Sequence, residues 1–123
     1  MVKQFDIAVI DLDPARGHEK GKTRPVLIVN NEMMTESAGF VWAMPITERP
    51  AKYPMDLKLK TEKNAVQGII DTVQIRCLDY DNRNGRVVDH LVEDLHQDVL
   101  DTIMAHIDPE FPQKYTTVHQ IMG

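Results

Sequence analysis

A short segment near the N-terminus concentrates side chains that could bind phosphate. Residues 14–25 read PARGHEKGKTRP and carry four cations, Arg16, Lys20, Lys22 and Arg24, against one acid, Glu19. Their net charge of +3 leaves −8 for the rest of a chain whose formal net charge is −5. The glycines indicate a flexible loop, and Pro25 opens a β-branched run that would fix Arg24 at the loop's exit. The segment is either a set of phosphate ligands or a solvated surface loop, and the contrast with the acidic remainder favours ligands.

The C-terminal third of the chain is acidic. Residues 89–110 contain no Lys or Arg, and they hold seven acids: Asp89, Glu93, Asp94, Asp98, Asp101, Asp108 and Glu110. A chain of negative net charge cannot coat nucleic acid through bulk electrostatics, so any such site has to be local. The acidic third is therefore excluded as a nucleic-acid surface.

The elements that would position the basic segment are mostly strands. Apolar or alternating runs, separated by Gly, Pro and Asn, predict strands at residues 5–12, 25–29, 40–46, 55–59 and 68–78. In the last run, Ile69, Val73, Ile75 and Cys77 would face the core. Asn84-Gly85 predicts a hairpin turn between residues 79–80 and 86–88.

The pattern changes at about Glu93. Leu95, Val99, Ile103 and Ile107 recur at four-residue spacing, which predicts one amphipathic helix ending before Asp108-Pro109. Several short strands and a terminal helix predict a mainly β fold, a small antiparallel barrel with a C-terminal α-helix. We expect one domain, residues 1–108, followed by a polar tail, residues 109–123.

Composition excludes several classes of protein. The single cysteine, Cys77, has no intrachain partner and is predicted to be a buried thiol in a reducing cytosol. No two of the later histidines share a helical face one turn apart, so no metal site is predicted among His90, His96, His106 and His119. The N-terminus lacks signal-peptide features, and no apolar stretch approaches the roughly 20 residues of a membrane helix. We therefore expect a cytoplasmic protein.

Three stretches resemble the motifs of one family, in the same order and spacing. LDPARGHEKGKTRPVLIV is similar to a strand with an [LF]DP turn followed by GxEQ and RPxLVV. AMPIT, residues 43–47, is similar to APIT or VPxT, and GIIDTVQIRCLD, residues 68–79, is similar to GVVLxDQIRTLD. Together with the terminal helix, these motifs make roughly residues 5–107 resemble the MazF/PemK/Kid family of toxins.

The resemblance implies an SH3-like antiparallel barrel of the CcdB/PemK type and a toxin of a type II toxin-antitoxin system. Such a toxin is a homodimeric endoribonuclease that cleaves single-stranded messenger RNA without a metal or other cofactor. The ribose 2′-hydroxyl attacks the neighbouring phosphate and leaves 2′,3′-cyclic phosphate and 5′-hydroxyl ends. The RNA groove would span the dimer interface, and a cognate antitoxin of the MazE/PemI type would inhibit the toxin.

Arg24 and Thr47 match the family's catalytic arginine and threonine. The arginine would stabilise charge on the phosphorane oxygens, and the threonine hydroxyl would donate to a phosphate oxygen or orient the nucleophile. The other candidate RNA-binding residues are Arg16, His18, Glu19, Lys20, Lys22 and Gln74. His18 and Glu19 could also accept a proton, and Gln74 could either read a base edge or only support the loop.

Two positions depart from the family's pattern. Phe5 replaces the glycine that usually precedes the first aspartate, and Val73 replaces an acidic residue found in many members before the glutamine. Asp71, two residues earlier on the same predicted strand face, could substitute only if the backbone allows it. Two alternatives stay open: a toxin of the same fold that acts on gyrase, as CcdB proteins do, and a member that binds RNA or antitoxin without cleavage, for which Val73 is the only evidence.

Overall fold

The computed structural model describes residues 1–12 and 23–110. Within these ranges the strands are β1 (Asp6–Asp11), β2 (Thr23–Ile28), β3 (Val41–Thr47), β4 (Leu57–Lys58), β5 (Ile69–Ile70), β6 (Arg76–Leu78) and β7 (Arg86–His90). The helices are α1 (Glu32–Ala38) and α2 (His96–Ile107), with single 3-10 turns at Thr72–Gln74 and Glu93–Leu95. The first three predicted strands and the terminal helix are confirmed.

The strands form one curved antiparallel sheet. Its order is β4-β5-β3-β2-β1-β7, and β6 pairs with β3 beside β5. The two ends of this order meet where Thr61 forms an isolated bridge with Leu91. There the Glu62 N–H donates to the His90 carbonyl (2.9 Å) and the Val92 N–H donates to the Lys60 carbonyl (3.1 Å). The mainly β fold with a C-terminal helix is thus confirmed, although within residues 1–12 and 23–110 a single bridge, and no continuous ladder, joins the ends of the sheet.

Alternation along the strands gives the sheet an apolar cluster on each face. Ile7 of β1 and Leu27 of β2 belong to the cluster that Val99 of α2 covers. Their neighbours Ala8 and Val26 belong to the cluster on the opposite face. All five side chains are at most 1% exposed. The central strands are therefore fixed from both sides, which holds the ends of β2 and β3 in place.

The predicted strand over residues 68–78 is wrong in its middle. The chain pairs with the second half of β3 as β5, makes the 3-10 turn at Thr72–Gln74, and then pairs with the first half of β3 as β6. Thr72 is fully buried, and its hydroxyl donates to the Met55 carbonyl (2.9 Å). This turn leaves Val73 (57%) and Ile75 (40%) exposed, where the sequence pattern had predicted burial. Cys77 is also exposed, which corrects its prediction as a buried thiol.

Three other local predictions need correction. Asn84 has a positive φ of 57° in a turn, but the strands on either side, β6 and β7, pair with β3 and β1, so no hairpin forms. The predicted strand at residues 55–59 is reduced to the two residues of β4. Helix α1 was not predicted, although Asn31 caps its N-terminus and Gly39 ends it in the left-handed conformation.

No helix in the described part of the chain combines the length and apolar character needed to span a bilayer.

Candidate functional site

A groove of about 830 Å³ opens where β2 begins and β3 ends. Arg24 lines it from the β2 side, Thr47 and Glu48 line it from the β3 side, and residues 64–67 form the far wall. Arg24 is exposed and Thr47 is half-buried. The structure therefore brings together the two residues predicted to be catalytic.

The register of β2 and β3 explains why these two side chains share the groove. Ile28 pairs with Ala43 and Val26 pairs with Pro45. Continuing this register by two residues places Arg24 opposite Thr47 on the same face of the sheet. The ladder ends at Pro45, which has no N–H to donate, and Thr47 pairs instead with Ile69 of β5. The two strands thus part beyond Pro45, and the groove opens between Arg24 and Thr47.

Among the described residues the Arg24 guanidinium has no ion-pair partner. Its charge is therefore not neutralised by any acid that the structure describes. A guanidinium can donate two parallel hydrogen bonds to one phosphate, which an ammonium group cannot do. The Thr47 hydroxyl adds a donor at the opposite side of the same groove.

The described residues on either side of positions 13–22 lie at this groove. Residues 13–22 are outside the described ranges, so the predictions for Arg16, His18, Glu19, Lys20 and Lys22 have no structural counterpart. The flanking residues Leu12 and Thr23 both line the groove.

A hydrogen-bond network anchors these flanking residues. The Asn84 amide donates to Asp11 (2.9 Å), and the Thr23 hydroxyl donates to the same carboxylate (3.0 Å). These two bonds lower the pKa of Asp11, and the bond from Asn84 has the larger effect. Arg83 donates to the Leu12 carbonyl (2.7 Å). Leu12 and Thr23, the described residues on either side of positions 13–22, are therefore held in place at the groove.

Gln74 does not line the groove that Arg24 and Thr47 share. It is exposed at the end of the Thr72–Gln74 turn. Asp71 could take the place of the acid that is missing at position 73 only if Asp71 and Val73 lay on one face of a strand. The 3-10 turn at Thr72–Gln74 interrupts that strand, so this condition is not met. Asp71 instead lies 3.7 Å from an Arg49 guanidinium nitrogen.

Sequence reasoning missed Glu48 and the far wall of the groove. Glu48 directly follows Thr47, is exposed, and has no hydrogen-bond or ion-pair partner among the described residues. Its position after a motif residue was the only available signal. Asn64, in the left-handed conformation with φ of 55°, stands in the far wall.

The buried Asp89 fixes that wall. Its carboxylate accepts hydrogen bonds from the backbone N–H groups of Lys63 and Ala65, both at 2.9 Å. Burial alone would raise the pKa of Asp89, but hydrogen bonds, including those from Ala65, His90 and Lys63, lower it to about 2. Asp89 is therefore ionised at neutral pH, and it holds the residues on both sides of Asn64.

Across residues 1–12 and 23–110, no three His, Cys, Asp or Glu side chains are grouped so that they could hold a metal ion.

A family model described as "PemK-like, MazF-like toxin of type II toxin-antitoxin system" matches residues 3–107 of this chain. The curated endoribonuclease MazF9 of Mycobacterium tuberculosis is 33% identical over 73 residues. That alignment covers 54% of this chain and 62% of the relative, which is less than two thirds of the relative's length.

Solved structures with the same fold include MazF of Deinococcus radiodurans, with a TM-score of 0.72 and 23% identity, over 86% of this chain and 96% of that one. A MazE-MazF complex of the same organism gives a TM-score of 0.75 at 23% identity, over 86% and 95% of the two chains. An endoribonuclease in complex with its cognate antitoxin, from a mycobacterial species, gives 0.73 at 16% identity, over 91% and 100%.

Proposed function

This chain belongs to the family of PemK-like, MazF-like toxins of type II toxin-antitoxin systems, and from that premise we propose that it is an endoribonuclease that cleaves single-stranded RNA. The observation that carries the proposal is the shared groove. Arg24 and Thr47 line one open groove where β2 begins and β3 ends. They belong to separate sequence motifs and are 23 residues apart along the chain.

The proposed reaction is an attack of the ribose 2′-oxygen on the adjacent phosphorus. The 2′-hydroxyl loses its proton, the new P–O bond forms, the bond to the 5′-oxygen breaks, and that oxygen takes up a proton. Arg24 stabilises the charge on the phosphorane oxygens, and the Thr47 hydroxyl donates to one of them or orients the nucleophile. Glu48 offers a carboxylate in the groove as proton acceptor, and His18 and Glu19 are further candidates in the basic segment.

The proposal extends to RNA binding by Arg16, Lys20 and Lys22, since the described residues that flank positions 13–22, Leu12 and Thr23, line the groove. Gln74 would contact RNA only if the bound strand extends beyond the groove, because the side chain is exposed on the Thr72–Gln74 turn and does not line the groove. We further propose a cytoplasmic location, and a toxin domain of residues 1–108 followed by a separate tail, residues 109–123.

The test is incubation of the purified protein with a long single-stranded RNA in excess EDTA, beside a gyrase supercoiling assay. We expect discrete RNA fragments in EDTA and undisturbed supercoiling. Inhibited supercoiling with intact RNA would assign the chain to the gyrase-directed alternative. RNA binding without cleavage would assign it to the cleavage-deficient alternative.

We propose that the homodimer forms through the apolar face around β6 and the end of α2. Trp42, Ile75 and Ile107 are 46%, 40% and 68% exposed there. They border a cavity of about 300 Å³, and the cavity is lined chiefly by apolar side chains of β3, β6 and α2. An apolar face of this kind is typical of a subunit interface, and Trp is enriched at such interfaces. Burying it against a second copy would also cover Ile75 and Cys77, which the sequence pattern had placed in the core.

We propose that an antitoxin inhibits the toxin by laying an acidic segment across the basic surface at the groove. The basic segment has the positive charge that such a peptide requires, and the acidic α2 face does not. We expect that the antitoxin competes with RNA and that its binding weakens as salt is added. Titrating antitoxin into a complex of toxin and labelled RNA at two salt concentrations measures both effects. Salt-insensitive binding without RNA release would contradict this placement.

A further inference from the structure

We propose that the bound RNA strand continues from the catalytic groove into a second groove, where Lys58 and Lys60 bind the phosphates of flanking nucleotides. This inference rests on the proposed function and adds a substrate-binding subsite to it. The second groove has a volume of about 460 Å³ and lies between residues 49–51, the β4 segment and residues 64–69.

The two grooves adjoin each other. Asn64, Val66 and Gln67 line both of them, so one short wall separates the catalytic groove from the second groove. Asp89 fixes this wall through the N–H groups on both sides of Asn64. The exposed Asn64 amide can both donate to and accept from a base edge as the strand crosses the wall. A strand that leaves Arg24 and Thr47 over the wall therefore enters the second groove directly.

Lys58 and Lys60 lie at the second groove because successive side chains of an extended segment point to opposite sides. Leu57 and Leu59 are 5% and 8% exposed and pack in the core, which turns Lys58 and Lys60 to the outside. Lysines two residues apart on an extended segment are separated by about 6 to 7 Å along the strand. Among the described residues neither ammonium group has an ion-pair partner. Both charges are thus free to bind neighbouring phosphates.

Two of the nearby acids, Asp56 and Asp71, face Arg49 and not the lysines. Arg49 donates two hydrogen bonds to Asp56, at 2.7 and 3.1 Å, and also lies 3.7 Å from Asp71. The hydrogen bond from Arg49 is the main cause that lowers the pKa of Asp56 to about 2. Residues 49–63 hold five cations against two acids, so their net charge of +3 equals that of residues 14–25. A chain of net charge −5 therefore carries a second positive segment, and it adjoins the proposed catalytic groove.

The test compares the parent with the double variant Lys58→Gln/Lys60→Gln on a short and a long RNA that share one cut site. The long RNA is extended on either the 5′ or the 3′ side. We expect equal cleavage of the short RNA by both proteins. For one of the extended RNAs, the variant should have a KM about tenfold higher with kcat unchanged. For the variant, the slope of the logarithm of the RNA-binding constant against the logarithm of the salt concentration should be smaller by about 1.4. Two phosphate contacts are lost, and each contact on a single strand contributes about 0.7 to this slope.

Lys3→Gln is the matched control, because Lys3 is exposed and lines neither groove. Equal KM and salt slopes for the double variant and this control on both extended RNAs would overturn the inference. Loss of antitoxin binding with RNA binding unchanged would also overturn it, because the lysines would then serve the inhibitor.

Binding is also measured on all-2′-O-methyl RNA, in which the nucleophile is blocked. If the parent cuts no RNA, the proposed function fails. The lysine effect on this uncleavable probe then still decides whether the second groove binds a nucleic-acid strand.

Discussion

Replacing Arg24 with Ala is expected to lower the single-turnover rate of RNA cleavage by about 100- to 1,000-fold, the usual cost of removing one donor to a developing oxyanion. The side chain is exposed near the start of β2 and has no ion-pair partner among the described residues, so its removal takes nothing from the core. The thermal unfolding midpoint should therefore stay close to that of the parent. Rapid quench with one end-labelled RNA in excess enzyme measures the rate.

Two further variants sharpen this test. Arg24→Lys keeps the charge but cannot bind two phosphate oxygens in parallel, so its rate should fall between those of the parent and Arg24→Ala. Arg86→Ala removes an exposed arginine on β7 that does not line the groove, and it should cleave at the parent rate. A folded Arg24→Ala protein that cleaves as fast as Arg86→Ala would show that Arg24 has no catalytic part.

Replacing Ile75 with Asp is expected to convert the dimer to monomers. In the proposed interface the substitution buries an unpaired carboxylate in each of two subunits, and each desolvated charge costs several kcal/mol. The dimer dissociation constant should rise by at least about 1,000-fold. The isolated protomer should fold normally, since Ile75 is 40% exposed in it. Sedimentation velocity over a range of concentrations measures the dissociation constant.

Val87→Asp is the matched control for the interface. Val87 is 39% exposed on β7 and does not border the apolar cavity, so the same chemical change should leave the dimer intact. If Ile75→Asp remains dimeric while Val87→Asp dissociates, the interface lies on the β7 side of the sheet and the proposed face is wrong.

Arg24 and Thr47 could be predicted because each belongs to a local motif near one end of a strand. What the sequence does not contain is the β2–β3 register that places Arg24 and Thr47 on one face, since this register depends on pairing between distant segments. The resemblance supplied that grouping in advance. The subsite lysines could have been found from the sequence, because Lys58 and Lys60 alternate with leucines that are buried.

The errors at residues 68–78 have a physical cause that periodicity cannot reveal. The turn at Thr72–Gln74 depends on the Thr72 hydroxyl, which bonds the Met55 carbonyl and lies 3.0 Å from the His106 ring. Both partners are remote in the sequence. The apolar character of Ile75 predicts burial, and in the proposed dimer a second subunit would bury it. The pattern of one chain cannot distinguish such an interface from the chain's own core. The wall at Asn64 likewise depends on Asp89, 24 residues beyond Ala65.

The most direct test of the central claim uses one RNA that contains a single mapped cut site, made with and without a 2′-hydroxyl on the nucleotide 5′ to the scissile phosphate. In excess EDTA, we expect the parent RNA to yield a 2′,3′-cyclic phosphate and a 5′-hydroxyl, identified by mass spectrometry. The RNA with the single 2′-deoxy nucleotide should bind normally and remain uncut at that site. Cleavage of the 2′-deoxy RNA at the same bond, or a product with a 3′-hydroxyl and a 5′-phosphate, would contradict the proposed attack by the 2′-oxygen between Arg24 and Thr47.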